Sequence, residues 1–127
     1  MLSQRPVHTT IPASDIERAK RFYGETLGFP IRLEGPGGVM FEGAEGTRFV
    51  VYPSPNAGAS PNTLMGFDVD DIESEVRELT ARGVVFEQYD FPGLKTDELG
   101  IATAGPTRSA WFKDTEGNIL GVVELPD

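Results

Sequence analysis

His8 is the only histidine in 127 residues. It stands in "VHTTIPASD", where a short extended run interrupted by Thr9 and Thr10 leads into a helix. An imidazole in that place can ligate a metal, act as a general base, or hydrogen-bond a ligand. Each role needs partners from elsewhere in the chain. There is no cysteine, which removes thiolate nucleophiles, disulfides and zinc–thiolate sites. Carboxylates are plentiful, 20 against 11 Lys and Arg, for a net charge of −9. Asp68 shares a strand face with Leu64 and Gly66 by alternation. A carboxylate there can receive a cationic or hydroxylated ligand, or serve as a base if desolvated. "TAGPTRSA" has hydroxyls but no histidine to pair with them, so a hydrolase triad is not supported. "GPGG" at 35–38 lacks the Lys-Ser/Thr and the following helix of a phosphate loop.

Two helices position these groups. "SDIERAKRFYGETLGF" reads as a helix with Ser14 as N-cap and Glu17 completing a capping box. Ile16, Ala19, Phe22, Tyr23 and Leu27 form its apolar face, and Gly28 ends it. "DDIESEVRELTARGV" repeats the pattern: Asp70 caps, Glu73 completes the box, Ile72, Val76 and Leu79 make the stripe, and Gly83 ends it. Asp15-Ile16-Glu17 matches Asp71-Ile72-Glu73 at an offset of 56 residues. A second echo, "FEGAEGTRFVV" from Phe41 and "FKDTEGNILGV" from Phe112, has an offset of 71. Both read as strand, tight turn, strand, with Gly46 and Gly117 in the turns.

The chain is therefore expected to be one α+β domain of two similar halves, each a strand, a helix and about three strands. The halves span about 5–52 and 63–124, with a turn-rich linker at 53–62. Expected strands are 5–11, 30–34, 38–42 and 47–52, then 63–69, 84–90, 107–113 and 118–124. Segment 90–106 shows no period, and a loop of that length is usually functional or mobile.

The stretches "VHTTIPASDIERAKRFYGETLGF", "GFDVDDIESEVRELTARGVVFE" and "AWFKDTEGNILGVVEL" resemble the vicinal oxygen chelate superfamily of glyoxalases, extradiol dioxygenases and bleomycin-resistance proteins. The resemblance covers nearly the whole chain. It implies paired βαβββ modules forming a curled mixed sheet around a cavity, helices outside, and a homodimer in many small members. Metal-using members hold their ion from four strand positions. The first is His or Gln seven residues before the helix-start Asp, which is His8 here and, in the second half, Leu64. The last-strand ligand is a Glu four residues after the turn glycine, which here is Gly121, mapping back to Val50. A divalent ion needs several nitrogen or oxygen donors at about 2.0–2.2 Å. His8, Val50, Leu64 and Gly121 supply one. No metal, cofactor or catalytic residue is expected from that set. Glu124, three residues beyond Gly121, falls on the opposite sheet face and reads as a surface residue.

The expected ligand-binding residues are His8, Thr10, Val50, Tyr52, Leu64, Asp68, Phe86, Tyr89, Phe91, Trp111 and Gly121. Phe22, Phe49, Phe67 and Phe112 are assigned to the core. Trp111 alternates with Phe112 and so faces the cavity or a dimer partner, where aromatic walls suit a flat ligand. With Val50, Leu64 and Gly121 in place of donors, that cavity should also be apolar and roomier. Arg48 is expected to pair with Glu42 or Glu45 across its hairpin.

These features favour a metal-independent binding protein that sequesters an apolar or aromatic compound such as an antibiotic. The bleomycin-resistance branch is the precedent that the resemblance offers. The alternatives are a glyoxalase- or dioxygenase-like enzyme, metal-free acid/base catalysis by His8 and Asp68, or a regulatory module whose ligand is a metabolite. The acidic surface repels nucleic acid and favours a cationic small molecule, although solubility is the simpler account of the charge. With no apolar run of membrane-spanning length and no signal pattern at the start, cytoplasmic residence is the expectation.

Overall fold

The computed structural model describes residues 1–126. Two four-stranded mixed sheets are built to one plan. In the first, β1 (Thr9–Ala13) runs parallel to β4 (Arg48–Pro53), and β3 (Gly38–Glu42) and β2 (Ile31–Gly35) follow antiparallel, in the order β1-β4-β3-β2. The second has β5 (Thr63–Asp68), β10 (Ile119–Glu124), β9 (Thr107–Lys113) and β8 (Ala102–Ala104) in the order β5-β10-β9-β8, with the same parallel and antiparallel pairs. Neither sheet closes into a barrel. A two-stranded hairpin, β6 (Asp90–Phe91) and β7 (Leu94–Lys95), stands apart.

Each helix follows the first strand of its sheet. In α1 (Ile16–Arg21) the N-cap is Asp15, whose carboxylate accepts from Arg18 N at 3.1 Å. In α2 (Ile72–Ala81) it is Asp71, accepting from Ser74 N at 3.3 Å. Both caps fall one residue after the expected Ser14 and Asp70, because each site offers two adjacent capping side chains and the second accepts from the N3 amide. The α1 axis continues through one wide π-type turn, Phe22–Thr26, before Gly28 leaves it at φ 83°. Among the described residues no helix is long and apolar enough to cross a membrane.

Strand alternation divides the side chains. Ile11, Ala13, Val39, Phe41, Phe49 and Val51 of the first sheet are buried with Ala19 and Tyr23 of the first helix. Ala110, Phe112, Leu120 and Val122 of the second are buried with Ile72 and Val76 of α2. Phe22 and Phe67 pack partly buried against this core, with Phe29 stacked on Phe67 at 5.5 Å between ring centroids. Each large apolar side chain fully buried here stabilises the fold by roughly 1.5–3 kcal/mol.

Two expected strands differ. The first begins at Thr9 rather than residue 5, since Pro6 has no N–H for a ladder and pairing starts at Thr9↔Phe49. The expected strand 84–90 is reduced to one bridge, Phe86↔Phe112, with Glu87 N donating to Trp111 O at 2.8 Å. The rest of that edge of β9 is taken by β8, drawn from the segment expected as an unstructured loop. Between them the chain leaves the sheet, turns through Pro92-Gly93 and returns. Thr96 holds the return: its amide donates to Tyr89 O at 3.0 Å, and its hydroxyl accepts from Tyr89 N at 2.9 Å. Asp97 Oδ1 then accepts from Leu99 N and Ile101 N at 2.9 Å.

Candidate functional site

The outer face of the first sheet, away from α1, carries Thr10, Val50 and Tyr52. Thr10 and Val50 are register partners, as are Pro12 and Tyr52. Val50 lines a shallow depression of about 270 Å³ with Leu33 and Met40. On the second sheet the corresponding face carries Gly66, Gly121 and Trp111, aligned across the three strands. Leu64 departs from that face. It is the extra residue of a β-bulge between the pairs Thr63↔Ile119 and Met65↔Leu120, and its half-buried side chain packs on the core.

Trp111 lies over Gly121. A Cβ built on Gly121 would sit 3.6 Å from both Cδ1 and Nε1 of the indole and 3.4 Å from Thr63 Cγ2. Those are ordinary contact distances, so the indole packs directly beside the glycine. Tyr89 meets Trp111 edge-on at 5.6 Å, and Phe91 stacks on Tyr89 at 5.8 Å. Burial, then the nearby Glu87 carboxylate, pushes the Tyr89 hydroxyl up from the usual phenol range. Phe86 does not join this group. It is buried against Phe112, ring centroids 5.5 Å apart, and belongs to the core instead of the expected site.

His8 and Asp68 lie elsewhere. They line a cleft of about 620 Å³ between the two sheets, with Glu45, Arg48 and Glu75 also at its walls. Its floor is apolar and includes Phe29, Phe49, Met65 and Phe67. Arg48 is the cross-strand neighbour of Glu42, but among the described residues it makes no ion pair within 4.0 Å. The expected site is thus divided among the cleft, the first sheet's depression and the aromatic face of the second sheet.

The donor set at His8, Val50, Leu64 and Gly121 does not fit a divalent metal. It offers one imidazole, because Val50, Leu64 and Gly121 carry no donor side chain. Among the described residues no group of three or more His, Cys, Asp or Glu is placed to hold an ion.

The polar centre that sequence reasoning missed is structural. In the β9–β10 turn, Asp114, Glu116 and Asn118 are buried. Asp114 Oδ1 accepts from the amides of Glu116 and Asn118 at 2.9 and 2.8 Å, and Oδ2 accepts from Tyr23 Oη at 2.6 Å. Asn118 Nδ2 donates to Pro12 O at 2.8 Å. Glu116 receives Arg18 Nε at 2.7 Å, Arg18 Nη2 at 3.0 Å, Asp15 N at 2.9 Å and Ser14 Oγ at 3.1 Å. Burial alone would raise the Glu116 carboxyl. The Arg18 guanidinium, the Asp15 amide and the Thr115 and Ser14 hydroxyls outweigh it and hold the carboxyl at about 2. The signal was present as "KDTEGN", three polar side chains around a glycine turn. Glu124, expected at the surface, does comparable work at α2, where Oε1 accepts from Ile72 N at 3.0 Å.

A sequence model of the glyoxalase/bleomycin resistance protein/dioxygenase superfamily matches residues 5–122. The chain belongs to that superfamily. Solved structures share its fold. TnmS3, described as an antibiotic binding protein from Streptomyces sp. CB03234, is 23% identical with a TM-score of 0.69, over 97% of this chain and 98% of its own. A glyoxalase/bleomycin resistance protein from the same organism is 25% identical with a TM-score of 0.63, covering 89% and 94%. UcmS2 is 20% identical with a TM-score of 0.74, covering 94% and 96%. No curated protein matches the sequence. The positions where the resemblance would place metal ligands carry His8, Val50, Leu64 and Gly121.

Proposed function

We propose that this chain is a metal-independent binding protein that sequesters an apolar or aromatic small molecule, such as an antibiotic. One observation carries the reading: Trp111 lies over Gly121, the strand position where the resemblance places a metal carboxylate, and Tyr89 and Phe91 extend the aromatic surface. A stacking wall stands where Lewis-acid chemistry would need a ligand. The fold shared with TnmS3, described as antibiotic-binding, supports the reading.

Binding closes in a homodimer. Leu33 is 64% exposed, and Ile31 and Tyr52 are also exposed on the first sheet, with Phe91 exposed beside the aromatic face of the second. Two copies facing each other cover these side chains and enclose the ligand between the first sheet of one protomer and the second sheet of its partner. Residence is cytoplasmic, and the partners are a small molecule and a second copy of the chain.

A second reading has one observation in its favour. His8 and Asp68 line the same cleft, as metal-free acid/base catalysis requires. A thermal-shift screen with polycyclic aromatic antibiotics and flavins separates the two. A compound that raises the melting temperature, quenches Trp111 and is recovered unaltered supports binding. A compound consumed by the protein, with consumption lost in His8→Ala, overturns it in favour of the enzyme.

A further inference from the structure

The β3–β4 and β9–β10 turns occupy equivalent places in the two sheets, and among the described residues only the second is fastened to the opposite half by side-chain hydrogen bonds. On the fastened side, Asp114, Glu116 and Asn118 bind Tyr23, Arg18 and the Pro12 carbonyl. The 71-residue offset maps those three turn residues onto Gly43, Glu45 and Thr47, and the 56-residue offset maps Arg18 and Tyr23 onto Ser74 and Leu79. The second set of positions lacks that chemistry. Gly43 has no carboxylate, Leu79 no hydroxyl and Ser74 no guanidinium. Thr47 donates its hydroxyl to Ala44 O, 2.7 Å away within its own turn. At the start of α2 the Ile72 amide donates to Glu124 of its own half.

The cleft of about 620 Å³ lies where that second fastening would be. Gly43, Ala44, Glu45 and Thr47 line one wall, and Asp68, Val69, Glu75 and Leu79 line the other. Its size lies within the roughly 300–1,000 Å³ of small-molecule sites. Phe29, Phe49, Met65 and Phe67 give it a ring-lined apolar floor. At the walls stand three carboxylates, Glu45, Asp68 and Glu75, with Arg48 and His8. None of the three carboxylates has an ion-pair partner among the described residues. An anionic ligand would meet more negative than positive charge, whereas a protonated amine on a flat apolar body satisfies wall and floor together.

We infer that the unfastened inter-sheet cleft is a binding site in its own right, for planar aromatic amines in their protonated form. Trp111, Tyr89 and Phe91 do not line it, so it does not depend on the aromatic face being a site.

Three dyes of nearly one shape test this at neutral pH: 9-aminoacridine as the cation, acridine as the neutral form and acridine-9-carboxylate as the carboxylate-bearing form. Titrations of the full-length protein followed by fluorescence should rank them in that order. Glu45→Gln with Asp68→Asn should weaken 9-aminoacridine by about tenfold and acridine by no more than about twofold, since a charge-assisted contact is lost only for the cation. Glu98→Gln, an exposed carboxylate outside the cleft, should change neither. Leu79→Tyr refills the cleft and should weaken both dyes. If that variant does not fold, the double variant decides. Backbone amide NMR should place the 9-aminoacridine shifts on residues 43–49 and 65–79. Equal affinity for all three dyes, no binding of any, unchanged affinity in the double variant, or shifts confined to 86–91 and 107–113 would each overturn the inference. The last outcome would leave the aromatic-face reading standing.

Discussion

Tyr23 Oη donates a 2.6 Å hydrogen bond to Asp114 Oδ2 across 91 positions of sequence, tying the first helix to the last hairpin. The phenol is fully buried against Phe41 and Phe49, ring centroids 5.8 and 5.3 Å away. Burial, then the Asp114 carboxylate, pushes the hydroxyl far above the usual phenol range, so it remains a donor wherever the protein is folded. Tyr23→Phe keeps the ring and removes only the donor. It should cost roughly 1–3 kcal/mol in urea unfolding, because Asp114 keeps three other donors. Asp114→Ala should cost more, since it leaves those donors and the Tyr23 hydroxyl without an acceptor. Equal stability of Tyr23→Phe and the parent would show that the bond adds nothing net.

Acid should loosen the same joint. The Glu116 carboxyl is held at about 2, below its ordinary value of 4.5. A depressed folded-state value means that the unfolded chain binds the proton first as pH falls. Glu116 therefore stabilises fully above about pH 5 and loses that contribution as pH falls toward 2, on the order of 2–3 kcal/mol. Glu116→Gln should flatten this part of the stability–pH curve. An unchanged slope between pH 5 and 2.5 in the variant would assign the acid sensitivity elsewhere.

The helices and most strands were legible because each announces itself locally. Apolar stripes of period 3.6 ended by Gly28 and Gly83 mark the helices, and the repeated "EG" turns mark the last hairpin of each half. The caps slipped by one because Ser14-Asp15 and Asp70-Asp71 each offer two adjacent capping side chains. The edge made by Phe86, Glu87 and β8 was not legible, since its pieces are two or three residues long and too short to show a period. The site residues divided for a similar reason. A bulge at Leu64 leaves no trace in composition, yet it reverses the facing of one residue. The Trp111–Phe112 alternation was the dependable signal, with Phe112 1% exposed and Trp111 half-buried on the other face.

Purified protein should carry no stoichiometric transition metal. The donor set of His8, Val50, Leu64 and Gly121 gives one ligand atom where a stable site needs about four. Elemental analysis after preparation without chelators is the check. About one divalent ion per protomer, removable with loss of a defined activity, would overturn the metal-independent reading.

Segment 90–106 should lose amide exchange when a ligand occupies the aromatic face. Phe91 and Tyr89 belong to the excursion that Thr96 and Asp97 fold back on the sheet, and Gly93, Gly100 and Gly105 turn the chain there at φ 85°, 90° and 59°. Hydrogen exchange with and without a ligand found by thermal shift measures it. Unchanged protection across 90–106 would remove the segment from the site.

Trp111→Ala should weaken binding of a flat aromatic ligand while the fold persists. The indole is half-buried at the sheet surface, and Phe112, not Trp111, fills the core beneath. Losing a stacked partner costs roughly 0.5–1.5 kcal/mol beyond the area no longer buried, and the contact should quench the chain's single tryptophan in the parent. His8→Ala should matter less for that ligand, because His8 lines the inter-sheet cleft and not the aromatic face. Titration of both variants by calorimetry, with circular dichroism to confirm folding, gives the comparison. Trp111→Ala that binds as the parent does would place the ligand away from the indole. A larger loss in His8→Ala than in Trp111→Ala would move the main site into the cleft between the sheets.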